Sequence, residues 1–393
     1  MMGLLTGTLH STLHANSLAL PEVYRALRVT LPLDLRQNLV DSQVKIALQS
    51  AEAPYQLHLS AKSQADIDNN TFSSMETSLL ASVAILPEAD ILNLMDAAKA
   101  RADIQSLEET EAQLLRYKTA TTLYFTALTA QEAARHTERI LDIVTKQQAW
   151  IKSQVAIGRN KPSSLSSNTL SMHKLQLQKA QYQRQKREAL LQLSSLTGIN
   201  PESELQIPTR TRPESPAKSA LYQRPDIRKQ QLRIRALDAE IHALRWTPWP
   251  NLDAFGILTP QDSTGKVGLS ASWPIFDTQE RALAEESLKA KRSLEAMTLQ
   301  EVFRTAVGDL WATYDTLRSL DSEYRLAKTT VIDAEIQYQQ YKTEYSQNLV
   351  PLLDVLQTLN SWNETVLDMS RRQIALQEAI ALLPITLLGK IPQ

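Results

Sequence analysis

Residues 266–277 read KVGLSASWPIFD, and every second position is apolar: Val267, Leu269, Ala271, Trp273 and Ile275. Between them stand Lys266, Gly268, Ser270 and Ser272. A period of two is that of an extended strand with one apolar face and one small, polar face. Three other segments alternate in the same way. Tyr55, Leu57, Leu59 and Ala61 interleave with Gln56, His58, Ser60 and Lys62. After a polar turn around Asp68, Asn69 and Asn70 come Met75, Thr77, Leu79, Ala81, Val83 and Ile85. Leu252, Ala254, Gly256 and Leu258 precede a turn containing Pro260, Asp262 and Gly265.

The rest of the chain has a different period. From Phe303 to Tyr345, apolar or aromatic residues fall at Val307, Leu310, Tyr314, Leu317, Leu320, Tyr324, Ala327, Val331, Ala334, Tyr338 and Tyr341, in steps of three and four. That spacing predicts a coiled-coil helix over 280–345, about 100 Å long at 1.5 Å per residue. Tyr117, Ala120, Tyr124, Ala127, Ala130, Ala134, Leu141, Val144, Ile151 and Val155 form the same seam earlier, with Thr137 and Gln148 as its weak positions. Many seam residues are small, which permits close helix approach. Shorter return helices are expected over 165–196, stopped by Gly198, Asn200 and Pro201, and over 355–388, ending near Gly389. Helical pieces over 20–53 and 222–248 complete the two return columns.

The two seams belong to two copies of one unit. A shift of 190 lays Ala81-Ser82 on Ala271-Ser272, Lys99-Ala100 on Lys289-Ala290, Tyr124 on Tyr314, Gly158 on Asn348 and Leu165 on Val355. The organisation expected is a poorly ordered start or signal remnant at 1–17, a first repeat over 18–200, an equatorial linker over 201–221 and a second repeat over 222–390. Each repeat reads helix, two strands, long helical hairpin. The fold class is therefore mainly α with a small β part, built on long antiparallel coiled-coil helices.

Alternating strands of about ten residues are those of an outer-membrane β-barrel. Trp246, Trp249 and Trp273 stand at strand ends, where membrane-interface aromatics belong. Four strands cannot close a barrel, so closure requires several copies. A soluble or periplasmic coiled-coil scaffold without a pore is the alternative; it leaves the four strands unexplained.

Composition narrows the function. Lys+Arg 42 against Asp+Glu 43 argues against a nucleic-acid partner. The absence of cysteine excludes disulfides, thiolate metal sites and a cysteine nucleophile. Ser171-x-x-Lys174 and Ser215-x-x-Lys218 are short patterns without a supporting motif, and His10 and His14, four apart, fall in a segment expected to fray. No phosphate-binding glycine loop exists. No enzyme, metal or cofactor is expected. The opening MMGLLTGTLHSTLHANS lacks Lys and Arg and reads as a poor or truncated signal.

The chain resembles the TolC-like outer-membrane efflux proteins, in their NodT-like branch. The resemblance rests on RPDIR at 224–228, LSASWPIFD at 269–277 and YSQNLVPLLDVLQ at 345–357, in that order on a duplicated scaffold. It implies a homotrimer with a twelve-stranded barrel continuing into an α-barrel tunnel in the periplasm. It further implies an outer-membrane exit duct of a tripartite efflux pump or type I secretion system, partnered by a periplasmic adaptor and an inner-membrane transporter. That branch often carries a lipidated N-terminal cysteine, and none is present in this sequence.

The resemblance also assigns residues. Tyr345 matches the family's tip tyrosine and Asp354 its gate aspartate. Ser164 stands where an acid is expected, Val350 replaces a basic residue and Gln357 a second acid, which implies a less charged closure. The two hairpin ends, with Gly158, Arg159, Asn160 and Lys161 in one and Asn348, Leu349 and Pro351 in the other, are expected to dock the adaptor. Gly158 and Asn348 both suit a left-handed backbone at a helix reversal.

Overall fold

The computed structural model describes residues 17–30, 42, 45–46, 49, 58–68, 71–85, 88–158, 161–209, 218–246, 251–259, 264–272, 278–347 and 349–392. In chain order the elements are β1 (Ser17–Leu18), α1 (Leu20–Thr30), β2 (His58–Asp68), β3 (Thr71–Ile85), α2 (Glu88–Ala156) and α3 (Pro162–Thr197). They continue with β4 (Glu204–Leu205), a short 3-10 turn at Lys218–Gln223, α4 (Pro225–Trp246), β5 (Asn251–Thr259), β6 (Thr264–Ser272), α5 (Thr278–Ser346) and α6 (Leu352–Thr386).

The duplication is visible in these boundaries. α2 and α5 are both 69 residues long, and the 190-residue shift carries Glu88 onto Thr278 and Ala156 onto Ser346. The same shift carries the start of α3 at Pro162 onto the start of α6 at Leu352. α3 stops where the sequence places a stop: Gly198 takes φ 71 and its N–H donates to the Ser194 carbonyl at 2.7 Å. α6 runs through Pro384 and ends at Thr386, before Gly389 at φ 57.

Ser17, expected in a frayed segment, lies in β1, which pairs in parallel with β4 inside the stretch expected to be a linker. Tyr124 fastens the pair: its hydroxyl lies 3.1 Å from the Leu18 carbonyl and 2.5 Å from that of Gln206. Gln131 completes the anchor, donating to the Leu205 carbonyl and accepting from the Leu205 N–H. Burial drives the Tyr124 phenol far above its ordinary pKa, so it stays a donor. The order is enforced from outside the segment, by α2, which is why local composition did not reveal it.

Contacts divide the chain into two compact units, each drawing on both repeats: 1–32, 112–220 and 308–393 in one, and 33–111 and 221–307 in the other. The first unit holds the larger apolar core. Leu20, Val23, Tyr24 and Leu27 of α1 pack against Tyr117, Ala120, Tyr124, Phe125 and Leu128 of α2, with Leu190 and Leu193 of α3 and Ile374 and Ala381 of α6. The seam residues of both long helices are buried or half-buried throughout. The weak positions have local explanations. Thr137 is fully buried because its hydroxyl donates back to the Ala133 carbonyl at 2.8 Å, and the Gln148 amide donates to the Thr169 hydroxyl of α3 at 3.1 Å.

In the second unit α4 is held to its neighbours by alanines and charge. Ala236, Ala239 and Ala243 are buried, while Arg292 pairs with Asp238 at 2.8 Å, Arg245 with Glu285 at 2.9 Å and Lys229 with Glu111 at 2.6 Å. At its start, Arg224 grips Asp226 with two hydrogen bonds of 3.1 and 2.7 Å, Pro225 takes the first helical position, and the Ile227 N–H donates to the Asp226 carboxylate. The RPDIR motif is thus a self-contained helix start.

The four long strands form one antiparallel sheet in the order β2-β3-β5-β6. Its register pairs Leu59 with Ala81, Ala61 with Leu79, Leu79 with Leu258, Ala81 with Gly256, Gly256 with Val267 and Ala254 with Leu269. Directly paired positions share a face, so the four alternating sets fall on a single side of the sheet. On that side Val267 is 92% exposed, Leu269 72% and Leu258 61%. On the other, the Phe255 ring covers Gly268 so closely that a Cβ there would sit 2.7 Å from it. The quoted strand ends at Ser272, and Trp273 and Ile275 lie outside the described residues. Among the described residues β2 and β6 each pair on one side only.

Tyr124→Phe removes a donor shared by two carbonyls and should lower stability by about 1–3 kcal/mol. Circular dichroism melting checks it, and unchanged melting would show that the anchor rests on packing alone.

Candidate functional site

Both helical hairpins of the first unit end in the same way. α2 closes at Gly158, which has φ 75 and open space around its Cβ position, and whose N–H donates to the Val155 carbonyl at 3.0 Å. The glycine therefore answers a backbone requirement and no side-chain contact. Lys161 is then extended, at φ −76 and ψ 145, because Pro162 follows it. In the second hairpin the Leu349 N–H reaches back to the Glu344 carbonyl at 3.0 Å, and Pro351 takes φ −74 and ψ 154 before α6 begins. Arg159, Asn160 and Asn348 lie outside the described residues. Lys161, Leu349 and Pro351 are exposed, as surface groups available to a partner must be.

Just behind these ends the two hairpins share an apolar cluster. Ile151 of α2 and Leu352 and Leu356 of α6 are buried together, with Val155, Leu165 and Tyr345 packed on them. Next to it Ile140, Val144, Leu175, Tyr338, Val355 and Leu359 form a second cluster, joined by Val350 and Trp362. Tyr345 is the hinge between the two. Its ring meets Trp150 edge-on at 5.1 Å between centroids, while Tyr338 stacks on Trp362 at 5.4 Å. Val350 is half-buried here.

Asp354 stands in the first turn of α6, half-buried, where a carboxylate is favoured by the unpaired amides of a helix start. Its own N–H donates to the Pro351 carbonyl at 3.2 Å, and among the described residues its carboxylate carries no ion pair. Gln357 is exposed one turn on. Ser164 is half-buried in the first turn of α3, where its N–H donates to the Lys161 carbonyl at 3.0 Å. The structure thus brings Tyr345 and Val350 into one cluster and sets Asp354, Gln357 and Ser164 in the first turns of the two return helices. Trp246 is the last residue of α4, and Trp249 and Trp273 lie outside the described residues.

Trp150, Trp362 and Asn168 are the residues that periodicity missed. Trp150 sits one position before the seam residue Ile151 and off the apolar stripe. Asn168 is fully buried and donates to the Val144 carbonyl at 3.3 Å. A polar residue amid a helical return reads as surface until its neighbour is known.

The Ser171 hydroxyl donates to the Ser167 carbonyl at 3.1 Å, and among the described residues no metal-binding cluster occurs. Ser215, His10 and His14 lie outside the described residues. No described helix is long and apolar enough to cross a membrane, a statement that leaves a β-barrel untouched. Besides Tyr124, the half-buried His136 of α2 is shifted as well. Burial, reinforced by Arg139 one turn along, lowers its pKa against a hydrogen bond with Asn363 of α6.

Residues 217–387 match the family model described as outer membrane efflux protein. The fold is shared with solved outer-membrane channels. The open-state MtrE channel of Neisseria gonorrhoeae is 18% identical, with a TM-score of 0.77 over 96% of this chain and 93% of that one. The CmeC channel of Campylobacter jejuni is 16% identical, with a TM-score of 0.77 over 94% and 85%. VceC of Vibrio cholerae is 16% identical, with a TM-score of 0.75 over 94% and 95%. No curated protein matches the chain in sequence. The fold class read from periodicity is the one these channels have, and they are channels rather than enzymes.

Two measurements address this region. Gly158→Ala must hold a left-handed backbone and should cost about 1–2 kcal/mol, read as a lowered melting temperature. His136 is held neutral by the fold, so the unfolded chain binds its proton more readily. Stability should therefore fall as pH drops below the ordinary histidine value near 6.5. His136→Gln should flatten that fall between about pH 7 and pH 5 in melts taken across the range.

Proposed function

We propose, from the match of residues 217–387 to the family model of outer membrane efflux proteins, that this chain is one third of a homotrimeric exit duct. It lies in the outer membrane of a Gram-negative bacterium and continues into the periplasm. It passes small molecules or polypeptides delivered by an inner-membrane transporter through a periplasmic adaptor. The hairpin ends around Gly158–Lys161 and Asn348–Pro351 meet that adaptor.

One observation carries the reading: a four-stranded sheet that, among the described residues, exposes Leu258, Val267 and Leu269 on its apolar face and pairs β2 and β6 on one side only. In lipid every strand edge must be paired. Three copies supply twelve strands, and each β6 then meets the β2 of a neighbour. A soluble scaffold gives no reason for Val267 and Leu269 to face outward. Exposed apolar residues on the helices, among them Trp311, Leu326, Ile332 and Ile336 of α5, are further surface for neighbouring copies to cover.

Three copies also bring three Asp354 side chains around one axis. A ring of carboxylates attracts cations and repels anions at a constriction. Tyr345 and Val350 close the same end by packing, with fewer charges than a salt-bridged gate.

Mass measurement in detergent micelles should give three chains per particle; a stable monomer overturns the duct. In planar bilayers Asp354→Ala should weaken block by divalent cations, whereas unchanged block would remove Asp354 from the constriction and leave the trimer standing.

A further inference from the structure

Behind the hairpin ends lies a groove of about 400 Å³ walled by α2, α5 and α6 of a single chain. Its size is that of a small-molecule site. The walls are chemically divided. Tyr338 and Val355, both almost wholly buried, make an apolar floor. Trp150, 40% exposed, and Tyr345 present their edge-to-face pair along one side. Two lysines line the groove, Lys146 from α2 and Lys342 from α5.

The lysines differ. Lys146 is satisfied by Asp142 at 2.6 Å, one turn back on its own helix. Lys342 carries no ion pair among the described residues, and no carboxylate lines the groove. A cation beside an aromatic, largely apolar cleft selects for a flat ring system bearing one negative charge. An apolar neutral ligand would leave the ammonium without a counter-charge, and a cationic one would meet two like charges. The Gln147 side-chain oxygen, buried in the same wall without a hydrogen-bond partner, adds an acceptor for a donor-bearing substituent on the ring.

We propose that this groove is a binding site for an amphipathic aromatic carboxylate. The ring lies against Trp150 and Tyr338, and the carboxylate meets Lys342. α2 comes from the first repeat and α5 and α6 from the second, so the ligand bridges the two hairpins beside Tyr345. The site is complete within one chain and does not depend on the duct reading.

The test uses the purified full chain in detergent, with empty micelles as the blank. 2-Naphthoate is titrated by calorimetry beside 2-naphthylmethylammonium, which has the same rings and the opposite charge. The carboxylate should bind at one site per chain and raise the melting temperature, and the ammonium should not bind. Lys342→Gln, an exposed and structurally mild change, should weaken 2-naphthoate by about tenfold. Trp150→Leu should weaken it as well, with both variants melting near the parent without ligand. Three outcomes overturn the site: no binding above the micelle blank, equal binding of the ammonium, or binding unchanged in Lys342→Gln. Failure here leaves the micelle mass and the bilayer conductance unaffected, so this site and the duct fall separately.

Discussion

Backbone N–H and C=O groups at a sheet edge need partners, and the need becomes absolute where water is absent. Among the described residues the sheet has four strands and two edges, β2 and β6, that each pair on one side only. A strand edge in water can be shielded by charge, bulges or proline. The edge strand β6 instead presents Val267 and Leu269 on the apolar face, and Lys266 is its only charged residue. Under the proposed reading, that incompleteness is what association of several copies would resolve, and the apolar surface on the helices is further area for neighbouring copies to cover.

The helices meet the same demand differently. A 69-residue helix with a continuous stripe of seam residues cannot be stabilised by local propensity alone. Alanines at positions such as 120, 127 and 130 bring backbones close enough for dispersion to act along the length, while Tyr124 and Phe125 fill the widest part of the core. Polar seam positions survive because each finds a bond within reach: Thr137 to its own helix, Gln148 across to Thr169. In the second unit the balance tips toward charge, with α4 tied by Asp238, Arg245 and Lys229. Mostly exposed pairs of this kind set register more than they add stability.

Position along the helix decides what each end residue can do. Asp354 keeps an unpaired carboxylate half in water because it sits in a first turn, where the helix itself favours the charge. Four residues earlier Val350 is drawn into the apolar cluster, and Tyr345 is held between two clusters. The end of the molecule is thus mostly packed, with a little charge beside it. Under the proposed reading, that packing would close the end by side-chain contact, with Asp354 as the charge beside it.

Periodicity alone determined a good deal. The period of two marked four strands, and the register of the described residues sets its alternating positions opposite one another, since alternation is a property of the backbone whatever surrounds it. Steps of three and four delimited the long helices, and the 190-residue repeat predicted that both would share one length, because the stopping residues were duplicated with the stripes. Gly158 and Gly198 marked turns because only a residue without a side chain enters a left-handed backbone cheaply. What tertiary structure decided was every meeting between segments distant in sequence. The ordering of Ser17–Leu18 by Tyr124, the burial of Asn168, and the convergence of Trp150 with Tyr345 and Lys342 depend on how one helix is rotated against another. A stripe along one helix does not encode that angle; the packing of side chains between helices sets it.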